Sequence, residues 1–371
     1  MKEEVEEKIE RLMRLMTHEG LSGVLLNAQH NFAWLTAGGR NGIDQSREAG
    51  AGSLLVCADG RRFVLANKIE LSRLMSEELT GQGYEPVEYP WEEEKGNPGL
   101  VADLAGSLIK NSKLGSDLSL GKSVAVVEGA IARARSQLTD SEVERFRLLG
   151  RDAAMAIGNL ARALTPGLTE REVARMAADA LAGIGAYSPV TLVAADERIR
   201  RFRHPVPTDL RWEKTLMIVV CARRQGLIAS LTRLVCYGAI PEELSRRTEL
   251  TAGVNGKIFT STKPGISGSD IFSVAAQAYR DAGFPGEELL HHQGGATGYR
   301  TRDWVAHPQC TEQVQVDQAF AWNPSITGTK VEETCIAFAD GLEIITATPD
   351  WPAIPVEVSG RAYHLPGILS L

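Results

Sequence analysis

No apolar run in this chain approaches the ~20 residues needed to cross a bilayer. Its opening stretch, Met1 to Arg14, is acidic and amphipathic, without a basic segment leading into an apolar one. Neither a membrane span nor a signal peptide is expected from that pattern. Cysteine is sparse: Cys57, Cys221, Cys236, Cys310 and Cys335 are scattered, odd in number and free of CxxC spacing. That distribution argues against a disulfide frame or a cysteine zinc site, and for reduced thiols in a cytoplasm. Cys221 and Cys335 sit in apolar, strand-like surroundings and read as buried, inert thiols. An excess of positive charge is missing as well. The net charge of −7 disfavours nucleic acid or an anionic membrane surface as the main partner. Internal repeats and low-complexity segments are also absent by eye. What remains is a chain of 371 residues, 43% hydrophobic and 23% charged. It has the composition of a soluble globular protein and the length of two domains.

Val5, Ile9, Leu12, Met13 and Met16 recur at helical spacing, so a helix is expected over residues 3–18, closed by Gly20. Val24-Leu25-Leu26 reads as a buried strand. Leu54-Leu55-Val56 and Phe63-Val64-Leu65, flanking Ala58-Asp59-Gly60, read as a hairpin. Strands and helices alternate to about Val127, an α/β pattern. The character changes near residue 138. Thr139-Asp140-Ser141-Glu142 and Thr169-Glu170-Arg171-Glu172 are both capping boxes, in which a threonine hydroxyl and a glutamate satisfy free backbone N–H groups reciprocally. Each opens a helix, the first with Phe146, Leu149, Ala153, Ile157 and Leu160 on one face. After Pro189 the chain turns strand-rich, with Leu216 to Val220, Gly226 to Leu234 and Ala319 to Trp322, interrupted by one further helix near Ser269 to Ala282. Arg224-Gln225-Gly226 and Ala339-Asp340-Gly341 suit hairpin turns of a curved antiparallel sheet.

Several motifs, in order, resemble the creatinase/aminopeptidase P/prolidase family, the pita-bread hydrolases related to methionine aminopeptidase. Leu164-Thr165-Pro166-Gly167-Leu168-Thr169-Glu170 is similar to a PGxTE helix junction. Arg203-His204-Pro205-Val206-Pro207 is similar to the segment with the first active-site histidine, and Ser230-Leu231-Thr232-Arg233 to a D-[IL]-T-R strand. His291-His292-Gln293-Gly294-Gly295-Ala296-Thr297-Gly298-Tyr299, Asn323-Pro324-Ser325 and Gly328-Thr329-Lys330-Val331-Glu332-Glu333 resemble the metal-binding end. The matches run from about residue 139 to 348. Asn31-Phe32-Ala33-Trp34-Leu35-Thr36 resembles the creatinase-type N-terminal domain. The resemblance implies an α/β (α+β) protein: a creatinase-like α/β domain over 1–130 and a pita-bread domain with a curved antiparallel sheet over 131–371. It also implies a homodimer.

The family's peptidases hold two divalent metals with two aspartates, one histidine and two glutamates. Placed residue by residue, the first aspartate falls on Val219, the second on Ser230, the histidine on Gly295 and the first glutamate on Asn323. Only the second glutamate is kept, as Glu332. One carboxylate neither neutralises four positive charges nor fills two coordination spheres. No metal and no cofactor are therefore expected. In that case His204, stiffened by Pro205 and Pro207, becomes the expected general acid–base, as the resemblance to metal-free creatinase implies. Glu332 becomes an orienting carboxylate, unless it is a buried ion pair with Arg233 or Lys330. Arg302 stands where the peptidases place a substrate-contacting histidine. Arg300 and Arg302 share a face if their segment is extended, and such guanidinium forks suit a carboxylate.

Ser230, His292, Tyr299 and Asn323 complete the expected substrate pocket. His291 reads as a structural histidine capping a glycine turn, and Glu333 as alternating away from Glu332. Arg40, after Gly38-Gly39, is either an exposed turn residue or a visitor to a neighbouring subunit's pocket. The expected activity is metal-independent hydrolysis of a C–N bond in a small carboxylate-bearing substrate. The alternatives are a non-catalytic small-molecule-binding protein and a metal-dependent Xaa-Pro peptidase.

Overall fold

The computed structural model describes residues 2–110 and 112–371. The chain divides into two compact units, Met1–Ser141 and Glu142–Leu371. This junction lies later than the 130/131 boundary expected from the sequence, because the helix Glu128–Ser136 belongs to the first unit.

In the first unit the opening helix runs from Lys2 to Glu19 and buries Val5, Ile9, Leu12 and Met16, the stripe that predicted it. Its Lys8 is also buried, held by Glu4 and by the carbonyl of Trp34 at 2.8 Å. A six-stranded sheet follows, in the order Glu85–Tyr89, Arg62–Asn67, Ala49–Cys57, Gly23–Ala28, Leu114–Ser116, Ala125–Val126. The predicted hairpin forms with Leu54 opposite Val64 and Leu55 opposite Phe63. Asn31 lies fully buried and donates to Asp117 at 3.1 Å and Glu128 at 2.7 Å, so its motif holds this unit together.

From Glu142 on, the helix Asp140–Arg162 belongs to the second unit, and it buries Phe146, Leu149, Ala153, Ile157 and Leu160. Thr169 and Glu172 make the reciprocal bonds of a capping box at the head of the helix Glu170–Ala182. Apart from the hairpin Ala353–Val358/Arg361–Pro366, the strands group as two sheets. One has four strands in the order Ile368–Ser370, Leu227–Cys236, Thr215–Arg224, Thr191–Ala195. The other has five, in the order Trp304–Val305, Gly294–Thr297, Gln318–Trp322, Glu333–Ala337, Leu342–Ile344. All pairings are antiparallel except that of Ile368–Ser370 with Leu227–Cys236. Gln225 and Gly226, both at positive φ, close the two-residue turn between the long strands, so Arg224 faces Leu227.

Besides the short helix Glu197–Arg201, two longer helices interrupt the strands: Gly268–Asp281 as expected, and Glu242–Ser261, which was not expected. The second is poor in helix formers, with Thr248, Thr251, Gly253 and Gly256 on its course. Tertiary packing decides it. Thr248 and Thr251 turn their hydroxyls back to carbonyls four residues earlier, and a Cβ on Gly256 would come within 2.5 Å of Val356. Gly256, which weakens the helix locally, is what lets it lie close to the hairpin Ala353–Val358/Arg361–Pro366.

Candidate active site

Register places the first group of site residues. Across the long hairpin Val219 pairs with Thr232 and Cys221 with Ser230. Ser230 and Thr232, two apart, emerge on one face. The Ser230 hydroxyl donates to the Cys221 sulfur at 3.3 Å. Thr334 joins the two sheets there: its hydroxyl accepts from Ser230 N–H at 2.7 Å and donates to Ser230 C=O at 2.8 Å. The Thr232 hydroxyl donates to Glu332 Oε2 at 2.6 Å.

Glu332 is 2% exposed, and two cations share its carboxylate. Lys330 Nζ lies 2.9 Å from Oε2 and Arg302 Nη2 lies 3.6 Å from Oε1. Burial raises the Glu332 pKa, but the Lys330 and Arg302 charges and the Thr232 hydroxyl outweigh it and hold the carboxyl below its usual range. Glu332 is thus an anion at neutral pH. The adjacent Glu333 turns the other way, into an ion pair at 2.9 Å with the buried Arg233. There desolvation wins, and Glu333 is pushed up to about 7 despite its partner. Of the two pairings weighed for Glu332, Lys330 forms it, while Arg233 serves Glu333.

Three imidazoles make the second group. His204 Nε2 and His291 Nε2 approach to 3.0 Å, so only one of them carries the hydrogen. His291 and His292 stack with ring centroids 4.4 Å apart, and His204 lies 6.0 Å from His292. The ring of His291 therefore faces His204, a contact that the expected turn-capping role did not include. Burial pushes the His291 pKa down to about 2 and that of His292 to about 4. Lys330 adds to both, and Arg302 to the second. His204 is lowered by burial and by Lys330, against an opposing pull from Glu332. All three rings are neutral at pH 7. Arg203 fixes the loop that carries His204, through an ion pair with Glu287 and bonds to Ser325 at 3.2 Å and Thr327 at 2.9 Å.

Asn323 is tied by its N–H to Gln293 C=O at 2.9 Å, next to His292. Its Oδ1 is buried without a partner, as are Arg302 Nε and His291 Nδ1. Each such atom costs about 1–3 kcal/mol unless a ligand or water meets it. The other expected residues are placed differently. The Tyr299 hydroxyl is 1% exposed with its residue and donates to the buried Glu142 at 2.7 Å, so it braces the long helix. Residues 298–301 bend instead of extending, and the Arg300 carbonyl accepts from Thr297 at 3.1 Å. Strand alternation therefore does not put Arg300 on a face with Arg302, contrary to the expectation. Arg40 belongs to the first unit, where it is exposed and its N–H donates to Glu78 at 2.8 Å.

Lys330, Thr232 and Cys221 were not among the expected site residues. The i, i+2 spacing of Lys330 and Glu332 was the available signal for the first. The charge on Glu332 raises the pKa of the buried Cys221 further than burial alone, so this thiol stays protonated.

The donor set does not fit the family's dinuclear metal centre. Val219 offers no ligand atom, Ser230 is committed to Cys221, and Glu332 already has the Lys330 ammonium against it. At Gly295 even a Cβ would lie 2.0 Å from the Trp304 carbonyl of the neighbouring strand, so the backbone leaves no space for a histidine. Among the described residues the one group of three or more potential metal-ligating side chains is His204, His291 and His292.

Comparison with known proteins agrees with the fold. The chain is 27% identical over 195 residues to an Xaa-Pro dipeptidase of Pyrococcus horikoshii, covering 50% of this chain and 55% of that enzyme. It is 22% identical over 333 residues to an Xaa-Pro dipeptidase of Lactobacillus helveticus, covering 82% and 88%. The first of these matches spans about half of the relative's length. Among solved structures, an Xaa-Pro dipeptidase from Bacillus anthracis superposes with a TM-score of 0.76 at 19% identity, covering 99% of this chain and 100% of the other. The dipeptidase PepE from Mycobacterium ulcerans gives 0.79 at 14%, covering 100% and 99%. These likenesses carry the pita-bread architecture. A model of metallopeptidase family M24 matches residues 144–345, more than half of the chain, and on that match the chain belongs to family M24.

Proposed function

We propose that this chain is a hydrolase that cleaves a C–N bond in a small carboxylate-bearing substrate without the dinuclear metal centre of its family. The observation that carries the reading is the Lys330 ammonium 2.9 Å from Glu332: a fixed cation serves the one retained carboxylate. Neutral His204 takes a proton from the attacking water and returns it to the leaving nitrogen. His291, at 3.0 Å, sets the tautomer of that ring. Glu332 is a positioning residue, holding Lys330 and Arg302 in place. The triad of Lys330, Arg302 and Glu332 carries one net positive charge, which suits one substrate carboxylate. Arg302 Nε and Asn323 Oδ1 supply a donor and an acceptor not spent within the protein. This reading also counts His292 and Ser230 as substrate contacts.

The named relatives act on Xaa-Pro dipeptides, so dipeptides are the first substrate class to test, followed by guanidino and ureido acids. A homodimer follows from the family expectation, and a cytoplasmic setting from five free, buried cysteines. Nucleic acid and membranes are not proposed as partners. No helix among the described residues is long and apolar enough to cross a membrane. The test is turnover by chelator-treated protein, compared with His204→Ala. Loss of at least ~100-fold in kcat for the variant supports the acid–base role. A wild-type rate that vanishes on chelation and returns with two equivalents of manganese sinks the metal-free reading. A second reading, ligand binding without turnover, draws on the same unmatched ligand positions. A ligand that raises the melting temperature without being cleaved would favour it.

A further inference from the structure

We infer that His204, His291 and His292 form a binding site for a single imidazole-seeking transition-metal ion, separate in its ligands from the carboxylate centre of the family. The candidate ligand nitrogens lie within 4.8 Å of one another, and the closest pair is already at 3.0 Å. Three nitrogens around one tetrahedral zinc stand about 3.3 Å apart, given Zn–N bonds of about 2.0–2.1 Å. His204 and His292 both lie in loop segments, so small ring movements close the remaining gap. Metal binding needs neutral imidazole; burial keeps His291 and His292 in that form, and burial with help from the Lys330 charge lowers the pKa of the more exposed His204.

The surroundings decide which ion. Lys330 and Arg302 oppose a cation, and Glu332 offsets one of them. Hard ions that rely on anionic oxygen gain nothing here. Copper, zinc, nickel or cobalt, which bond strongly to imidazole, overcome the residual repulsion. Three protein ligands leave a tetrahedral ion one open position. Occupation consumes the lone pair that His204 needs as a base, so the ion inhibits turnover. That consequence rests on the proposed function, whereas the site itself does not.

The test is titration of chelator-stripped, full-length protein with cobalt(II) chloride, followed by visible spectroscopy and X-ray absorption. The expected result is one equivalent bound, with the d–d bands of a four- or five-coordinate ion and a shell of about three imidazole nitrogens. His291→Ala and His292→Ala each weaken binding at least ~10-fold and remove a nitrogen from the shell, while Glu332→Gln, which leaves Lys330 and Arg302 unbalanced, weakens it less and keeps all three nitrogens. Circular dichroism of each variant shows that its fold persists. Absence of stoichiometric binding to folded wild-type protein overturns the inference. So does binding that survives both histidine variants, or a wild-type shell containing a carboxylate oxygen that Glu332→Gln removes. Cobalt bound by the three histidines with a rise in turnover supports the site and refutes the metal-free reaction instead.

Discussion

Replacing Lys330 by methionine removes the cation closest to Glu332 while keeping the volume and the apolar stem. At 2.9 Å and an effective dielectric of ~20, the pair attracts by about 6 kcal/mol. Desolvation offsets much of that attraction, and Arg302 at 3.6 Å with the Thr232 hydroxyl at 2.6 Å still serves the stranded carboxylate. Breaking buried pairs generally costs ~3–5 kcal/mol, and the lower end is expected here. Urea denaturation followed by the buried Trp212 and Trp322 reads the loss. Glu332→Gln in the Lys330→Met background removes the unpaired charge and should restore at least ~1.5 kcal/mol. The two changes are therefore strongly non-additive. The acid limb of the kcat/KM profile should also move up in Lys330→Met, because Lys330 lowers the His204 pKa. A single variant that loses under ~1 kcal/mol, or a cycle that adds within ~0.5 kcal/mol, would refute the argument that Lys330 stands in for a metal at Glu332.

Other outcomes follow from the same geometry. In wild-type protein the base must be neutral, so kcat/KM falls as pH drops through a pKa below the ordinary 6.5 of histidine; an acid limb above 7 contradicts the environment of His204. His291 and His292 have folded pKa values of about 2 and about 4, below the unfolded 6.5. Their contribution to stability is therefore full above pH 6.5 and declines as pH falls toward 4, and His291→Gln should flatten the melting temperature over that window. Gly295→His should not recover a dinuclear centre: its Cβ meets the Trp304 carbonyl, and reduced stability without two-metal binding is the expected result of calorimetry with manganese. Thr169→Ala should cost ~0.5–2 kcal/mol through the capping box, measured by the same denaturation assay.

How much was legible in the sequence depended on the range of the interaction. The Thr169 capping box, the Gln225-Gly226 turn and the amphipathic face from Phe146 to Leu160 rest on neighbours a few residues apart, and local rules found them. The helix Glu242–Ser261 escaped because Gly256, which lowers helix propensity, answers to a hairpin about a hundred residues further on. The buried burden of Tyr299 was equally hidden, since its partner Glu142 lies 157 positions away.

By itself the sequence determined that Val219, Ser230, Gly295 and Asn323 hold no carboxylate or imidazole, because a missing functional group needs no coordinates to be seen. Only the tertiary structure decided what the remaining groups do. It set Lys330 against Glu332 and gave Arg233 to Glu333. It also brought His291 to His204 across 87 positions and bent the chain so that Arg300 and Arg302 are not paired by strand alternation. Charges and rings act through distances of a few ångströms, and those distances exist only once the two sheets have closed on each other.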